Sequence, residues 1–191
     1  MPRELVAEKY EAPRLVLPVG ERDHAAGPAA AAAVLVEYGD YQCPYCGAAY
    51  PIVKQIQKHF GDRLRFVFRN FPITNAHPRA EWAAELAEAA GAQGRFWEMH
   101  DFLYEHQAKL DDATVFAKQA KRLKLDARRI DAEVGDHSYL ARIQEDYTSG
   151  IRSGVNGTPT FFINGVRYDG YPELAPLVAA LDAAGRPAAS R

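Results

Sequence analysis

Residues 34–60 read VLVEYGDYQCPYCGAAYPIVKQIQKHF and contain both cysteines of this 191-residue chain. The apolar run at residues 34–38 is typical of a buried β-strand, and a turn follows it. After the turn, a helix is predicted over residues 43–60, because Pro44 suits a first helical turn and Gly61 suits a helix end. The stretch therefore predicts a strand that leads through a tight turn into a helix beginning at a cysteine.

The two cysteines are placed for disulfide exchange. Cys43 falls in the first turn of the helix, where unpaired backbone N–H groups and the positive end of the helix dipole favour a thiolate. Because the thiolate is the attacking species, Cys43 is predicted to be the nucleophile. Cys46 lies three positions later on the same helix face, so it is predicted to be the resolving thiol and to be less exposed than Cys43. Pro44 and Tyr45 lie between them, and the uncharged Tyr45 predicts a less oxidising pair than one with His there.

A metal site is the main alternative for a pair of this spacing. With only two cysteines in the chain, a zinc site of four thiolates is excluded. The candidate ligands His59 and His77 show no paired spacing, so we expect no metal and no other cofactor. The strand before the pair and the helix after it favour the redox interpretation.

The remainder of the chain predicts a helical insertion within an α/β fold. The predicted elements are, in order, a strand at 64–68, four or five helices between 77 and 150, a hairpin of residues 160–163 and 166–168 turning at Asn164-Gly165, and a helix over 172–184. Residues 15–19 are a candidate for a short edge strand. The predicted domains are an N-terminal arm at 1–32, a domain formed by 33–74 and 152–184, an inserted helical subdomain at 75–151 and a C-terminal tail at 185–191.

Composition excludes two classes of partner. With 23 basic and 25 acidic residues, the chain has a formal charge of -2 and no strongly basic character, so no nucleic-acid partner is expected. No apolar run approaches the roughly 18 residues that span a bilayer, so we expect no membrane partner or anchor. The amino-terminal segment carries charges such as Arg3, Glu4 and Lys9 where an export signal would be apolar, which predicts a cytoplasmic location.

Two motifs resemble a known family. The sequence EYGDYQCPYC at residues 37–46 and GTPT at residues 157–160 resemble the DsbA-like disulfide oxidoreductases of the thioredoxin superfamily. The resemblance covers residues 34–181. It implies an α/β thioredoxin fold with a large, all-helical insertion between the β-α-β unit and the second motif.

The resemblance also implies roles for further residues. Pro159 is expected in the cis form beside the cysteines, with the backbone of Thr158 offered to an extended substrate peptide. Glu37, six positions before Cys43, would be a buried acid that relays the proton of Cys46, and burial would raise its pKa. An exposed Glu on the strand is the alternative, since alternation permits it. Apart from the resemblance, Tyr41 and Tyr45 flank the thiols and are expected to form an apolar rim for partner peptides, with simple filling of the surface as the alternative.

These observations predict an enzyme that exchanges disulfides with protein or peptide thiols and disulfides, and that is regenerated by a redox partner. A glutathione-dependent isomerase or peroxide reductase on the same scaffold is a second hypothesis, with glutathione as a partner. The third is a non-catalytic peptide-binding or chaperone module with a structural disulfide, which a potential below about −300 mV would support.

Overall fold

The computed structural model describes residues 11–186; residues 1–10 of the predicted arm and 187–191 of the predicted tail lie outside the described residues. Within this range, one five-stranded sheet has seven α-helices packed around it. The strands are β1 (His24–Ala26), β2 (Ala33–Gly39), β3 (Leu64–Asn70), β4 (Thr160–Ile163) and β5 (Val166–Tyr168). The helices are α1 (Pro44–Phe60), α2 (Ala80–Gly91), α3 (Phe96–Glu105), α4 (Ala113–Arg122), α5 (Ala127–Gly135), α6 (Leu140–Arg152) and α7 (Leu174–Ala184). This is the predicted α/β fold with a helical insertion.

The sheet has the strand order β1-β3-β2-β4-β5, so β2 lies at its centre. β2 pairs in parallel with β3, which confirms the β-α-β unit, and antiparallel with β4. The hairpin of β4 and β5 turns at Asn164 and Gly165, both of which have positive φ, as a tight two-residue hairpin turn requires. The central strand therefore carries the chain straight into the cysteine segment.

The edge strand lies elsewhere than predicted. Residues 15–19 form no strand; instead β1 pairs antiparallel with β3. Pro18 interrupts the predicted segment, and the Arg69 guanidinium donates hydrogen bonds to the carbonyl oxygens of Leu17 and Pro18 at 2.9 and 3.2 Å. Because a proline lacks the N–H that a ladder needs and these carbonyls already have a partner, the segment is held as a loop.

The two faces of β2 are covered by different parts of the chain. Leu35 packs in the larger core cluster, which includes residues of α1, α3 and α7, whereas Val36 and Tyr38 pack in a smaller cluster with Phe162. Since side chains alternate along a strand, Glu37 and Gly39 share the face of Leu35. The acid of the predicted site therefore points towards the cysteine helix.

Five helices, α2 to α6, form the insertion between β3 and β4. Asp112 and Asp126 cap α4 and α5, because their side chains accept hydrogen bonds from the backbone N–H groups of Thr114 and Arg129. The predicted insertion boundaries at 75 and 151 fall before α2 and in the last turn of α6.

Candidate active site

Cys43 is the residue that immediately precedes α1. It has extended backbone geometry (φ −66°, ψ 122°), no side chain caps the helix, and Pro44 begins its first turn. The backbone N–H groups of Tyr45 and Cys46 hydrogen-bond the Cys43 sulfur. The free donors of the helix start therefore converge on this sulfur.

The pKa of Cys43 is lowered to about 5. The largest cause is the hydrogen bond from the Cys46 thiol; the Thr158 side chain and the two backbone N–H groups add to it, and burial opposes them. In its protonated form the Cys43 thiol donates to the Thr158 carbonyl oxygen at 3.3 Å. At neutral pH Cys43 is therefore a thiolate.

The pKa of Cys46 is shifted in the opposite direction to that of Cys43. Burial raises its pKa well above the usual thiol range, and the neighbouring Cys43 and Glu37 raise it further. The backbone N–H of Asp40 donates to the Cys46 sulfur at 3.5 Å. No disulfide joins the two cysteines in this structure. At neutral pH the lowered pKa of Cys43 favours its thiolate, and the raised pKa of Cys46 favours its thiol.

The order of exposure of the two cysteines is the predicted one. Cys46 is fully buried and Cys43 is the more exposed of the two, but only 3% of its surface is accessible. The Thr158 carbonyl contacts its sulfur, and Cys43 packs in the larger core cluster. A partner sulfur would therefore have to replace the Thr158 contact to reach it.

Glu37 is buried on the face of β2 that α1 covers, with 2% of its surface exposed. Its pKa is raised to about 8, mainly by burial and secondarily by the charge on Cys43. The oxygen Oε1 has no hydrogen-bond partner among the described residues. The buried position agrees with the predicted one and differs from the exposed alternative.

The second motif lies against the cysteines. The Thr158–Pro159 peptide bond is cis, and the Thr158 carbonyl contacts Cys43. Tyr45 is 73% exposed between the two cysteines, where a partner would meet it. Tyr41 was expected beside it, but Tyr41 is buried and its hydroxyl hydrogen-bonds His100 Nδ1 at 3.1 Å. Tyr41 is therefore part of the core and does not form a rim.

Comparison with known protein families shows which family has this sequence. The profile of the family described as thioredoxin matches residues 20–183, which is most of the chain. The chain belongs to the thioredoxin family. Solved structures of DsbA proteins share its fold.

Three solved structures illustrate the similarity of this thioredoxin-family chain to known proteins. A thioredoxin-like oxidoreductase from Silicibacter pomeroyi DSS-3 is 27% identical, with 88% of this chain and 95% of that chain covered and a TM-score of 0.76. Oxidised BdbD from Bacillus subtilis is 21% identical, with 92% and 99% covered and a TM-score of 0.78. The alpha-DsbA1 protein of Wolbachia pipientis is 22% identical, with 90% and 94% covered and a TM-score of 0.76. The chain therefore shares the fold of these three proteins.

Curated relatives are longer than this thioredoxin-family chain. The Na(+)/H(+) antiporter NhaA 1 of Salinispora arenicola is 46% identical over 171 residues, which are 89% of this chain and 26% of that protein. A protein of the same name from Mycobacterium sp. strain KMS is 43% identical over 172 residues, 28% of its length. The chain thus spans about a quarter of the length of these relatives. No helix within residues 11–186 is long and apolar enough to cross a membrane.

Asp40 is a site residue of this thioredoxin-family protein that the sequence analysis missed. Its buried carboxylate accepts hydrogen bonds from the backbone N–H groups of Gln42, Cys43 and Ile73 at 2.7, 3.1 and 2.8 Å. The same carboxylate contacts His77 Nδ1 at 2.8 Å. An aspartate in the turn before a helix was the available signal, since its side chain often accepts hydrogen bonds from backbone N–H groups two or three residues later in the turn.

Gln107, just beyond α3, was also missed. Its side-chain amide donates hydrogen bonds to the carbonyl oxygens of Tyr41 and Cys43 at 2.9 and 2.8 Å. Gly47 permits this approach, because a Cβ atom there would clash with the Gln107 amide. The inserted helical part therefore holds the cysteine loop directly.

Proposed function

We propose that this protein is a thiol-disulfide oxidoreductase that exchanges disulfides with protein or peptide dithiols through Cys43 and Cys46. The observation that supports it most strongly is the opposite ionisation of the two thiols at the start of α1, with the pKa of Cys43 lowered and that of Cys46 raised. A pair of this kind separates the attacking role from the resolving role.

The proposed reaction has two exchange steps. The Cys43 thiolate attacks one sulfur of a partner disulfide, forms a mixed disulfide and releases the other partner sulfur as a thiolate. The Cys46 thiol then loses its proton and attacks the Cys43 sulfur, which forms the Cys43–Cys46 bond and releases the second partner sulfur. Two electrons pass from the cysteine pair to the partner, and the reverse sequence oxidises a partner dithiol.

Glu37 is the proposed acceptor of the Cys46 proton. It is buried on the strand beneath the cysteine helix, and its electrostatic effect on the pKa of Cys46 indicates that the two groups are close. A pKa of about 8 lets the carboxyl group take up and return a proton near neutral pH.

Four residues are proposed to contact the partner. The Thr158 carbonyl contacts Cys43, and Pro159 follows it through a cis peptide bond. A partner strand that pairs with the Thr158 backbone would replace this carbonyl contact to the sulfur. Pro44 and the exposed Tyr45 form the adjoining surface between the cysteines. A second thiol-disulfide protein or a small thiol such as glutathione would regenerate the pair. The cytoplasmic location stays a prediction, and the net direction of exchange follows from the redox potential of the compartment.

Replacing Cys46 by serine is expected to trap covalent complexes. The serine hydroxyl can donate to the Cys43 sulfur in place of the Cys46 thiol, so Cys43 should stay ionised. Without a thiol to resolve it, a Cys46→Ser protein mixed with a peptide disulfide should accumulate the mixed disulfide, whereas the wild type should release free peptide dithiol. Non-reducing mass spectrometry measures the adduct. The proposal predicts that a large fraction of the variant carries the adduct on Cys43. It also predicts that the wild type releases dithiol and that the variant does not. The proposal would be refuted if the variant formed no more adduct than the wild type and neither protein released dithiol.

A further inference from the structure

The hydroxyl of Tyr104 lies over the face of β2 that carries Glu37. Glu37 and Gly39 are two residues apart on that strand, so their side-chain positions lie on the same face. A Cβ atom at Gly39 would clash with the ring of Phe68 on β3 and would lie 2.9 Å from the hydroxyl oxygen of Tyr104 on α3. The Phe68 ring and the Tyr104 hydroxyl therefore fill the space that the missing side chain of Gly39 leaves open, on the face of β2 that carries Glu37.

The resolving sulfur borders the same space. Asp40 follows Gly39, and its backbone N–H donates to the Cys46 sulfur. The pKa of Tyr104 is raised well above its usual range, chiefly by burial, and then by charge on Cys46 and on Glu37. Glu37, Cys46 and Tyr104 therefore form one buried group around Gly39.

Two oxygens in this group lack partners. Neither Glu37 Oε1 nor the Tyr104 hydroxyl has a hydrogen bond among the described residues. Neighbouring tyrosines in the same aromatic cluster differ, because the hydroxyl of Tyr41 bonds His100 and that of Tyr50 donates to Glu105. Buried polar atoms are rarely left unpaired, and a hydrogen bond between these two, made directly or through one water, would satisfy both.

We propose that the Tyr104 hydroxyl donates a hydrogen bond to the ionised Glu37 carboxylate and thereby sets how readily Glu37 accepts the Cys46 proton. The inference rests on the proposed function and adds a positioning residue to it. The proton passes from the Cys46 sulfur to Glu37, the new thiolate attacks Cys43, and the partner leaves as a thiolate. Tyr104 keeps its own proton throughout.

Few other titratable groups act on Glu37. Those in electrostatic reach are Cys43 just before α1, Cys46 in α1, Tyr41 in the cysteine loop and Tyr104 in α3. The pKa values of both tyrosines are raised well above the usual phenol range, so neither titrates near neutral pH. On the flanking strands, Phe68 of β3 and Phe161 of β4 are the register partners of Glu37, and neither carries a charge.

The test compares Tyr104→Phe with Tyr50→Phe. Both substitutions remove one hydroxyl from stacked rings, whose centroids are 5.3 Å apart, and keep the ring itself. Carbon-13 NMR of the Glu37 carboxyl in the reduced protein gives its pKa directly. Tyr104→Phe should raise that pKa by about one unit, because a donor to the charged form is lost, and should shift the pH profile of single-turnover peptide-disulfide reduction to higher pH by the same amount. Tyr50→Phe should leave both unchanged.

A third variant separates this inference from the proposed function. In a Glu37→Gln background, Tyr104→Phe should not change the rate further if Tyr104 acts through Glu37. In the wild type, the Tyr104 ring resonances should follow the Glu37 titration with the same midpoint, a readout that needs no variant to fold. An active wild type in which Tyr104→Phe leaves the Glu37 pKa and the pH profile unchanged would overturn this inference alone, whereas a wild type without exchange activity would overturn the proposed function.

Discussion

The Cys43→Ser protein is expected to show no exchange activity above the uncatalysed reaction. A serine hydroxyl is not ionised at neutral pH, and the helix start that stabilises the thiolate cannot supply a nucleophile by itself. Cys46 cannot substitute, because it is fully buried and its pKa is raised well above the usual thiol range. The measurement is the rate of peptide-disulfide reduction at pH 7 by stoichiometric reduced protein.

The matched control is Cys46→Ser, which keeps the first step and loses the second. The wild type should complete both steps, Cys46→Ser should stop at the mixed disulfide, and Cys43→Ser should do neither. Retention of more than a tenth of the wild-type rate by Cys43→Ser would contradict the assignment of the nucleophile.

The second large effect concerns how the stability of the reduced protein changes between pH 6.5 and 8. The folded state lowers the pKa of Cys43 to about 5, chiefly through the Cys46 thiol. Cys43 therefore stabilises the fold increasingly as pH rises from about 5 towards the pKa of this thiol in the unfolded chain. Burial raises the pKa of Glu37 to about 8, so Glu37 destabilises the fold as pH rises from its unfolded value near 4.5 up to 8. Each contributes a slope of about 1.4 kcal/mol per pH unit, of opposite sign. The free energy of unfolding of the wild type should therefore stay nearly constant in this window.

Two single variants should remove one slope each. Glu37→Gln leaves the Cys43 slope, so its free energy of unfolding should rise by about 2 kcal/mol from pH 6.5 to 8. Cys43→Ser leaves the Glu37 slope and should fall over the same interval. Urea denaturation under reducing conditions at several pH values measures all three proteins. Parallel pH dependences for the two variants would show that these groups do not have the ionisation described here.

His100 contributes little in that window. Burial lowers its pKa to about 3, so its effect on the pH dependence of stability falls away as pH rises through its unfolded pKa near 6.5. The same small slope is expected in all three proteins, so the difference between the two variants is unaffected by this core histidine.

Local patterns predicted much of the fold. The helix end at Gly61, with a φ of 51°, and the hairpin turn at Asn164 and Gly165 follow from residues that tolerate positive φ. The strand-turn-helix around Cys43 likewise follows from neighbouring residues. In each case the determinant is local, so the sequence alone is sufficient.

The missed features depend on contacts between distant residues. Gln107 reaches the carbonyl of Cys43 from 64 positions away, and Ile73 donates to Asp40 from 33 positions away. The burial of Cys43 beneath Thr158 spans 115 positions. The hydroxyl of Tyr41 hydrogen-bonds His100 on α3, 59 positions away. No periodicity or motif in one segment specifies which distant residue will pack against it.

The proposed exchange requires that the start of α1 and the Cys46 thiol keep Cys43 ionised. The most direct measurement is the ultraviolet absorbance of the thiolate as the reduced wild-type protein is titrated from low to high pH. One thiolate should appear with a midpoint near pH 5, and no second one should appear until well above pH 9. Ionisation of both thiols together near the ordinary value of about 8.5 would contradict it.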